Sequence, residues 1–301
     1  MMPYRNLIIE NPAEITVKNR QLIVSADIRH SVPIEDICSI LLESTRSSVS
    51  TAALSALCDN GACVFVCDAK HTPCGVLMPY CAHSRQTAVL QKQMSLSLPR
   101  KKRLWQQIVK SKIKNQAECL SLCGKEKQAI ALRKMAADVQ SGDAGHIEGA
   151  AAALYFRALF GADFIRRQDD VQNAALNYGY AILRGFIARQ LAAYGFTPCL
   201  GIYHCSELNA YNLADDFIEP FRPVIDLFVA CNIGAEEKEL CTQLKHSLYN
   251  LLNVDIAMNN GHYSVSYAIE KCVQSYSACI SSEQEILQMP QLLEAKQHCY
   301  E

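Results

Sequence analysis

The hydrophobic pattern of this chain changes rhythm once, near residue 80. Before that point short apolar runs alternate with turn residues: Leu7-Ile8-Ile9 precedes Asn11-Pro12, Ile15-Thr16-Val17 precedes Asn19, and Leu22-Ile23-Val24 follows. Such runs, bounded by Asn and Pro, predict a strand meander. Ile37–Leu42 predicts a strand buried on both faces, and Cys63–Cys67 and Gly75–Met78 predict two more. Ser50–Leu57 has helical spacing instead and stops at Asp59-Asn60-Gly61.

Beyond residue 80 the spacing is helical. Leu104, Ile108, Ile113 and Ala117 mark one helix over 104–122, and Lys125–Val139 marks a second, stopped by Ser141-Gly142. Asp143 or Gly145 can cap the next, whose run Ala150-Ala151-Ala152-Ala153-Leu154 favours helix strongly. Val171–Ala193 predicts a long helix whose Ala174, Gly179, Ala181 and Gly185 suit close packing. Its polar Asn177 and Tyr178 predict burial beside a site. Pro220 and Pro223 lack amide donors, so the helix carrying Glu219 must kink or restart there. Leu240–Leu252 and Tyr263–Ile280 predict two further helices. The expected class is α+β: a small β-rich domain over 1–80, then a larger all-helical domain over 81–301.

Composition narrows the function classes. Half of the 301 residues are hydrophobic and the net charge is −1. No apolar run reaches the ~18 residues that span a bilayer. Arg5, Glu10 and Glu14 interrupt the amino terminus before a signal-peptide core forms, so a cytoplasmic location is expected. Fifteen cysteines, an odd count without a secretion signal, argue against a disulfide framework. Cys63 and Cys67 on one strand would lie ~13 Å apart, too far to share a metal. Cys119 and Cys123 could share one, but no second pair stands nearby, and most of these thiols read as small buried hydrophobes.

The near-neutral total conceals a basic segment. Between Arg85 and Lys134 thirteen basic residues stand against two acids, a local charge of +11. A solvated helix surface is one reading, but so local an excess is better explained by a polyanion partner. Lys101, Lys102, Arg103, Lys110, Lys112 and Lys114 are the candidate DNA contacts. Trp105, the sole tryptophan, is expected to pack between helices rather than stack on a base.

The segment from Gly195 to Pro223 carries the candidate chemistry. Gly195, Pro198 and Gly201 make a loop, His204 follows in a short apolar run, and an acidic helix start comes next. Asp215 and Glu219 are four apart and share a helix face. A loop histidine facing two stacked carboxylates is a half-shell for a divalent cation, Mg²⁺ or Mn²⁺. The same residues also read as a packed histidine before an amphipathic helix. Glu148 likewise reads as an ordinary first-turn acid favoured by the helix dipole.

Four motifs fall in order and weigh between these readings: GHIEGAAAALYF at Gly145–Phe156, AALNYGYAILRG at Ala174–Gly185, LGIYH at Leu200–His204, and NLADDFIEPFRPVID from Asn212. Together they resemble the CRISPR adaptation integrase family, the larger of the two proteins that insert spacers into CRISPR arrays. The amino-terminal MPYRNLIIENPAEITVKNRQLIV is similar to the compact type II branch. The resemblance implies that Glu148, His204 and Glu219 hold one Mg²⁺ or Mn²⁺. The last ligand is Asp in many relatives, which leaves Asp215 as the alternative to Glu219. Asp215, Asn177 and Tyr178 are expected to support the ligands, and Arg222 to neutralise a phosphate or simply to pair with Glu219. The implied activity is DNA nicking and transfer of a 3′-hydroxyl onto the repeat phosphodiester. A non-catalytic DNA-holding and measuring subunit is the alternative. The implied partners are prespacer and repeat DNA, a second copy through the β-rich domain, and the small ferredoxin-like adaptation protein in a heterohexamer. The type II effector nuclease and an accessory adaptation protein are further candidates, and no membrane is involved.

Overall fold

The computed structural model describes residues 5–69, 73–79, 83–234, 237, 239–259, 261–282 and 286–298. Tyr80, near the expected end of the first domain, lies outside them. The chain divides into two units, Met1–Ser84 and Arg85–Glu301.

The first unit contains β1 (Arg5–Ile9), β2 (Glu14–Lys18), β3 (Gln21–Ser25), β4 (Arg29–Pro33), β5 (Ile37–Leu42), β6 (Ser48–Val49), α1 (Thr51–Asp59), β7 (Cys63–Cys67) and β8 (Pro73–Leu77). Two four-stranded sheets result, ordered β1-β5-β7-β8 and β4-β3-β2-β6. Every residue of β5 is buried, because it lies between the parallel partners β1 and β7. Leu22, Ile37, Ile40, Ala53, Leu57 and Val64 form the centre of the core. Ser50 caps α1, its hydroxyl accepting the Ala53 amide at 3.2 Å. Two features depart from the meander reading. β1 leaves it to pair in parallel with β5, a distant pairing that local alternation does not encode. β4 pairs with β3 although Arg29-His30-Ser31 is polar, which an edge strand permits.

The second unit contains α2 (Gln86–Met94), α3 (Leu98–Leu122), α4 (Glu126–Asp138), α5 (Ile147–Phe160), α6 (Val171–Ala193), α7 (Asn212–Ile218), α8 (Arg222–Asn232), α9 (Thr242–Asn250), β9 (Asp255–Met258), β10 (Gly261–Ser264) and α10 (Val265–Ser281). The α+β class holds, with one addition to the helical part: β9 and β10 form a hairpin. α3 is the axis of this unit. It buries Trp105, Ile108, Val109, Ile113 and Leu120 and packs against α4, α5, α8 and the turn Glu219–Phe221. Gly179 lets α6 and α8 meet: a Cβ there would lie 2.6 Å from Ile225 Cγ2. After α10 the segment 286–298 returns along α3, where the buried Asn115 donates to the Pro220 and Pro290 carbonyls and accepts the Leu292 amide. Among the described residues no helix is long and apolar enough to cross a membrane.

Candidate active site

Glu148 is placed by a tight turn. Asp143 is buried, and its carboxylate accepts the amides of Ile147 at 3.0 Å and Glu148 at 3.1 Å, which caps α5 as anticipated for that residue. The turn costs strain: Asp143 and His146 both hold left-handed backbone, at φ 52° and 51°. Glu148 therefore opens α5 with its carboxylate toward α3.

Glu219 is placed by the two prolines. α7 ends at Ile218, Glu219–Phe221 forms a 3₁₀ turn, and α8 starts at Arg222. The Glu219 side chain is only 7% exposed, a depth that a carboxylate occupies only when paired. Its Oε1 accepts Arg222 Nε at 3.0 Å, and Arg222 also lies over the Tyr180 ring at 4.5 Å. Its Oε2 is 2.6 Å from Lys112 Nζ, a close buried ion pair. Burial pushes the Glu219 carboxyl up, yet Arg222 and Lys112 outweigh it and bring the group down to about 2.

Lys112 joins the two acids. Its Nζ lies 2.6 Å from Glu148 Oε1 and 2.6 Å from Glu219 Oε2. Burial pulls the Lys112 ammonium down, but Glu219 and Glu148 together leave it raised. This corrects its assignment as a DNA contact: the side chain is 12% exposed and turned inward. Helical periodicity is the reason, since Lys112 stands four residues from both Ile108 and Gln116 on the buried face of α3. Lys102, Arg103 and Lys114 are exposed and Lys101 and Lys110 half-buried, so the outer face of α3 remains basic.

His204 hangs on Asp216. This carboxylate is fully buried and accepts the amides of Ile202 at 2.5 Å, Tyr203 at 3.2 Å and His204 at 3.1 Å. Its Oδ1 also lies 2.8 Å from His204 Nδ1. Because the Asp216 oxygens act as acceptors, Nδ1 carries the proton and the Nε2 lone pair is left for a ligand. The hydrogen bond to Asp216 raises the imidazole above its ordinary 6.5, with burial opposing and the charges of Asp216, Glu219 and Asp215 adding to the rise. Trp105 does pack rather than face a base: it is buried, stacks on Tyr203 at 4.3 Å and meets the His204 ring edge-on at 5.7 Å. Gln93 of α2 grips the preceding loop through Thr197 and Leu200. Gly201 is demanded by close approach, because a Cβ there would sit 2.2 Å from the His204 carbonyl oxygen.

The remaining candidates separate clearly. Asp215 is half-buried and accepts Asn209 Nδ2 at 2.6 Å, so it is committed to its own loop while its charge reaches His204. Asn177 is exposed, not buried, and accepts Arg166 at 2.7 Å; Tyr178 one residue on is buried. Adjacent positions on a helix face different ways, so the pair could not share one environment. Arg222 pairs directly with Glu219. Sequence reasoning missed Asp216, because the four-residue spacing to Glu219 drew attention to its neighbour Asp215 instead. It also missed Lys112 as a site residue.

Among the described residues no three His, Cys, Asp or Glu side chains are gathered closely enough to hold a metal. The donor chemistry nevertheless fits a hard divalent cation: two carboxylates converge on one positive charge, and an oriented imidazole is close enough to feel the charge of one of them.

Residues 7–239 match the family model described as CRISPR associated protein Cas1. The chain is 42% identical over 304 residues to the CRISPR-associated endonuclease Cas1 of Neisseria meningitidis serogroup C (strain 8013), covering 100% of both chains. In fold it is similar to a casposase bound to integration product, with a TM-score of 0.76 and 19% identity over 95% of this chain and 92% of that one. It is also similar to a chain of a Cas6-RT-Cas1–Cas2 complex, with a TM-score of 0.72 and 20% identity over 95% of this chain and 36% of that longer one.

Proposed function

Since the chain belongs to the Cas1 family of CRISPR-associated proteins, we propose that it is a divalent-metal-dependent DNA endonuclease and integrase of CRISPR adaptation. The observation that carries this reading is the meeting of Glu148 and Glu219, from separate elements, on one cation, with His204 close enough to feel the Glu219 charge. Glu148, Glu219 and His204 Nε2 would hold Mg²⁺ or Mn²⁺, which when bound supplies Lewis-acid activation of a phosphodiester and of its attacking hydroxyl.

The chain's own residues do the positioning. Asp216 keeps the imidazole tautomer that exposes Nε2, and Arg222 holds the outer oxygen of Glu219. The exposed lysines and arginine of α3 bind backbone phosphates without reading sequence. In strand transfer the spacer 3′-hydroxyl forms a new bond to the repeat phosphorus as the old 3′-oxygen leaves; with water as nucleophile the same step is nicking. The identities of the structural relatives support DNA and a small Cas2-type protein as partners, and a second copy of this chain through the β-rich unit is proposed with them. Incubating the purified protein with branched duplex DNA and Mn²⁺ tests the reading. Cleavage and strand transfer that stop with EDTA are expected. DNA binding with neither, under Mg²⁺ or Mn²⁺, would leave the non-catalytic holding subunit instead.

A further inference from the structure

We propose that Lys112 is the resident counter-ion of the metal centre, and that its ammonium and a divalent cation compete for one position between Glu148 and Glu219. The inference rests on the metal-site reading above and adds a residue that reading does not require.

Three features carry it. Nζ touches both carboxylates at the same 2.6 Å, so it stands where a shared cation must stand. The oxygens of Glu219 are divided: Oε1 belongs to Arg222, while Oε2 faces Lys112. A metal could therefore take Oε2 and leave the Arg222 pair intact. Finally, charge balances with Lys112 in place, Glu148 and Glu219 against Lys112 and Arg222. A dication entering that position would stand at contact distance from the Lys112 ammonium, and this like-charge repulsion displaces the ammonium as the ion enters. A lysine suits this duty, since its point charge rides on a flexible stem and makes no planar fork to be broken. The consequence is a protein that folds without metal and binds metal more weakly than its carboxylates alone would.

The test compares the full-length wild type with Lys112→Gln, Lys112→Arg and Glu219→Gln. Mn²⁺ affinity is read from the spin-resonance signal of free Mn²⁺, and melting temperature is taken in EDTA and in saturating Mn²⁺. Lys112→Gln should melt lower in EDTA, bind Mn²⁺ on the order of tenfold more tightly, and gain more from Mn²⁺ than wild type does. Lys112→Arg, which keeps the charge, should not bind more tightly than wild type. A Lys112→Gln protein that folds only with Mn²⁺ also supports the proposal. One that stays unfolded at saturating Mn²⁺ overturns it, as does a folded one that binds no more tightly than wild type. If wild type and Glu219→Gln are alike in binding no Mn²⁺, the metal-site reading itself fails, and Lys112 is then a structural ion pair only.

Discussion

Asp216 holds both ends of His204: its Oδ1 accepts the residue's backbone amide at 3.1 Å and lies 2.8 Å from the ring Nδ1. One buried carboxylate thus sets the loop path and the imidazole tautomer together. The His204 side chain itself remains 39% exposed. A packed core histidine would show the reverse, a buried ring serving its neighbours.

Replacing His204 with Ala should therefore abolish Mn²⁺-dependent nicking and strand transfer while lowering stability by only about 1 kcal/mol, since a single half-exposed ring is removed. Thermal melting and an integration assay on the same preparation check this. Normal integration by the variant would refute the metal role of His204.

The pH profile follows from the raised imidazole. A histidine whose folded pKa exceeds 6.5 contributes stability that is present below 6.5 and lost as pH rises through the folded value. Metal binding needs the neutral ring, so wild-type nicking should fall off on the acid side as protons compete with Mn²⁺ for His204, and more Mn²⁺ should move that limb to lower pH. Asp216→Asn removes the main cause of the rise and should move that limb to lower pH at fixed Mn²⁺. A limb left in place would show that another group controls it.

Gly201→Ala tests the loop rather than the ligand. The added methyl would meet the His204 carbonyl oxygen at 2.2 Å and Asp216 Oδ2 at 2.9 Å, and both are anchored. A destabilisation of about 1–3 kcal/mol is expected, along with loss of metal-dependent activity. Urea denaturation that superimposes on wild type would contradict the close approach.

The outer and inner lysines of α3 should behave differently toward salt. Exchanging Lys101, Lys102 and Arg103 for Ala should weaken binding to all duplexes alike and flatten the salt slope by about 0.9 for each phosphate no longer neutralised. Lys112→Ala should leave the slope of duplex binding unchanged, because Lys112 is engaged with Glu148 and Glu219. Fluorescence anisotropy titrations across ionic strength separate the two.

Local chemistry was readable residue by residue. Short apolar runs between turn residues placed β2, β3, β5 and β7, and α6 was bounded at Val171–Ala193 by pattern alone. The break between α7 and α8 followed from two missing proline amides, and the cap on α5 from a single aspartate. These are short-range effects, set within a few residues on either side. Hairpin β9–β10 escaped because its four-residue strands are too short for periodicity to register against the helices around them.

The chain by itself thus determined which residues can bear the chemistry: a first-turn acid, a loop histidine and an acid beside two prolines. Tertiary structure alone decided how they are connected. Lys112 belongs to the site because α3 turns that position inward against α5 and the Glu219 turn, and Asp216 rather than Asp215 holds His204 because the loop folds back over the buried face of α7. Buried charges are assigned by who stands opposite them across a core. That pairing depends on helices packing across long stretches of sequence, and spacing along one chain carries no record of it.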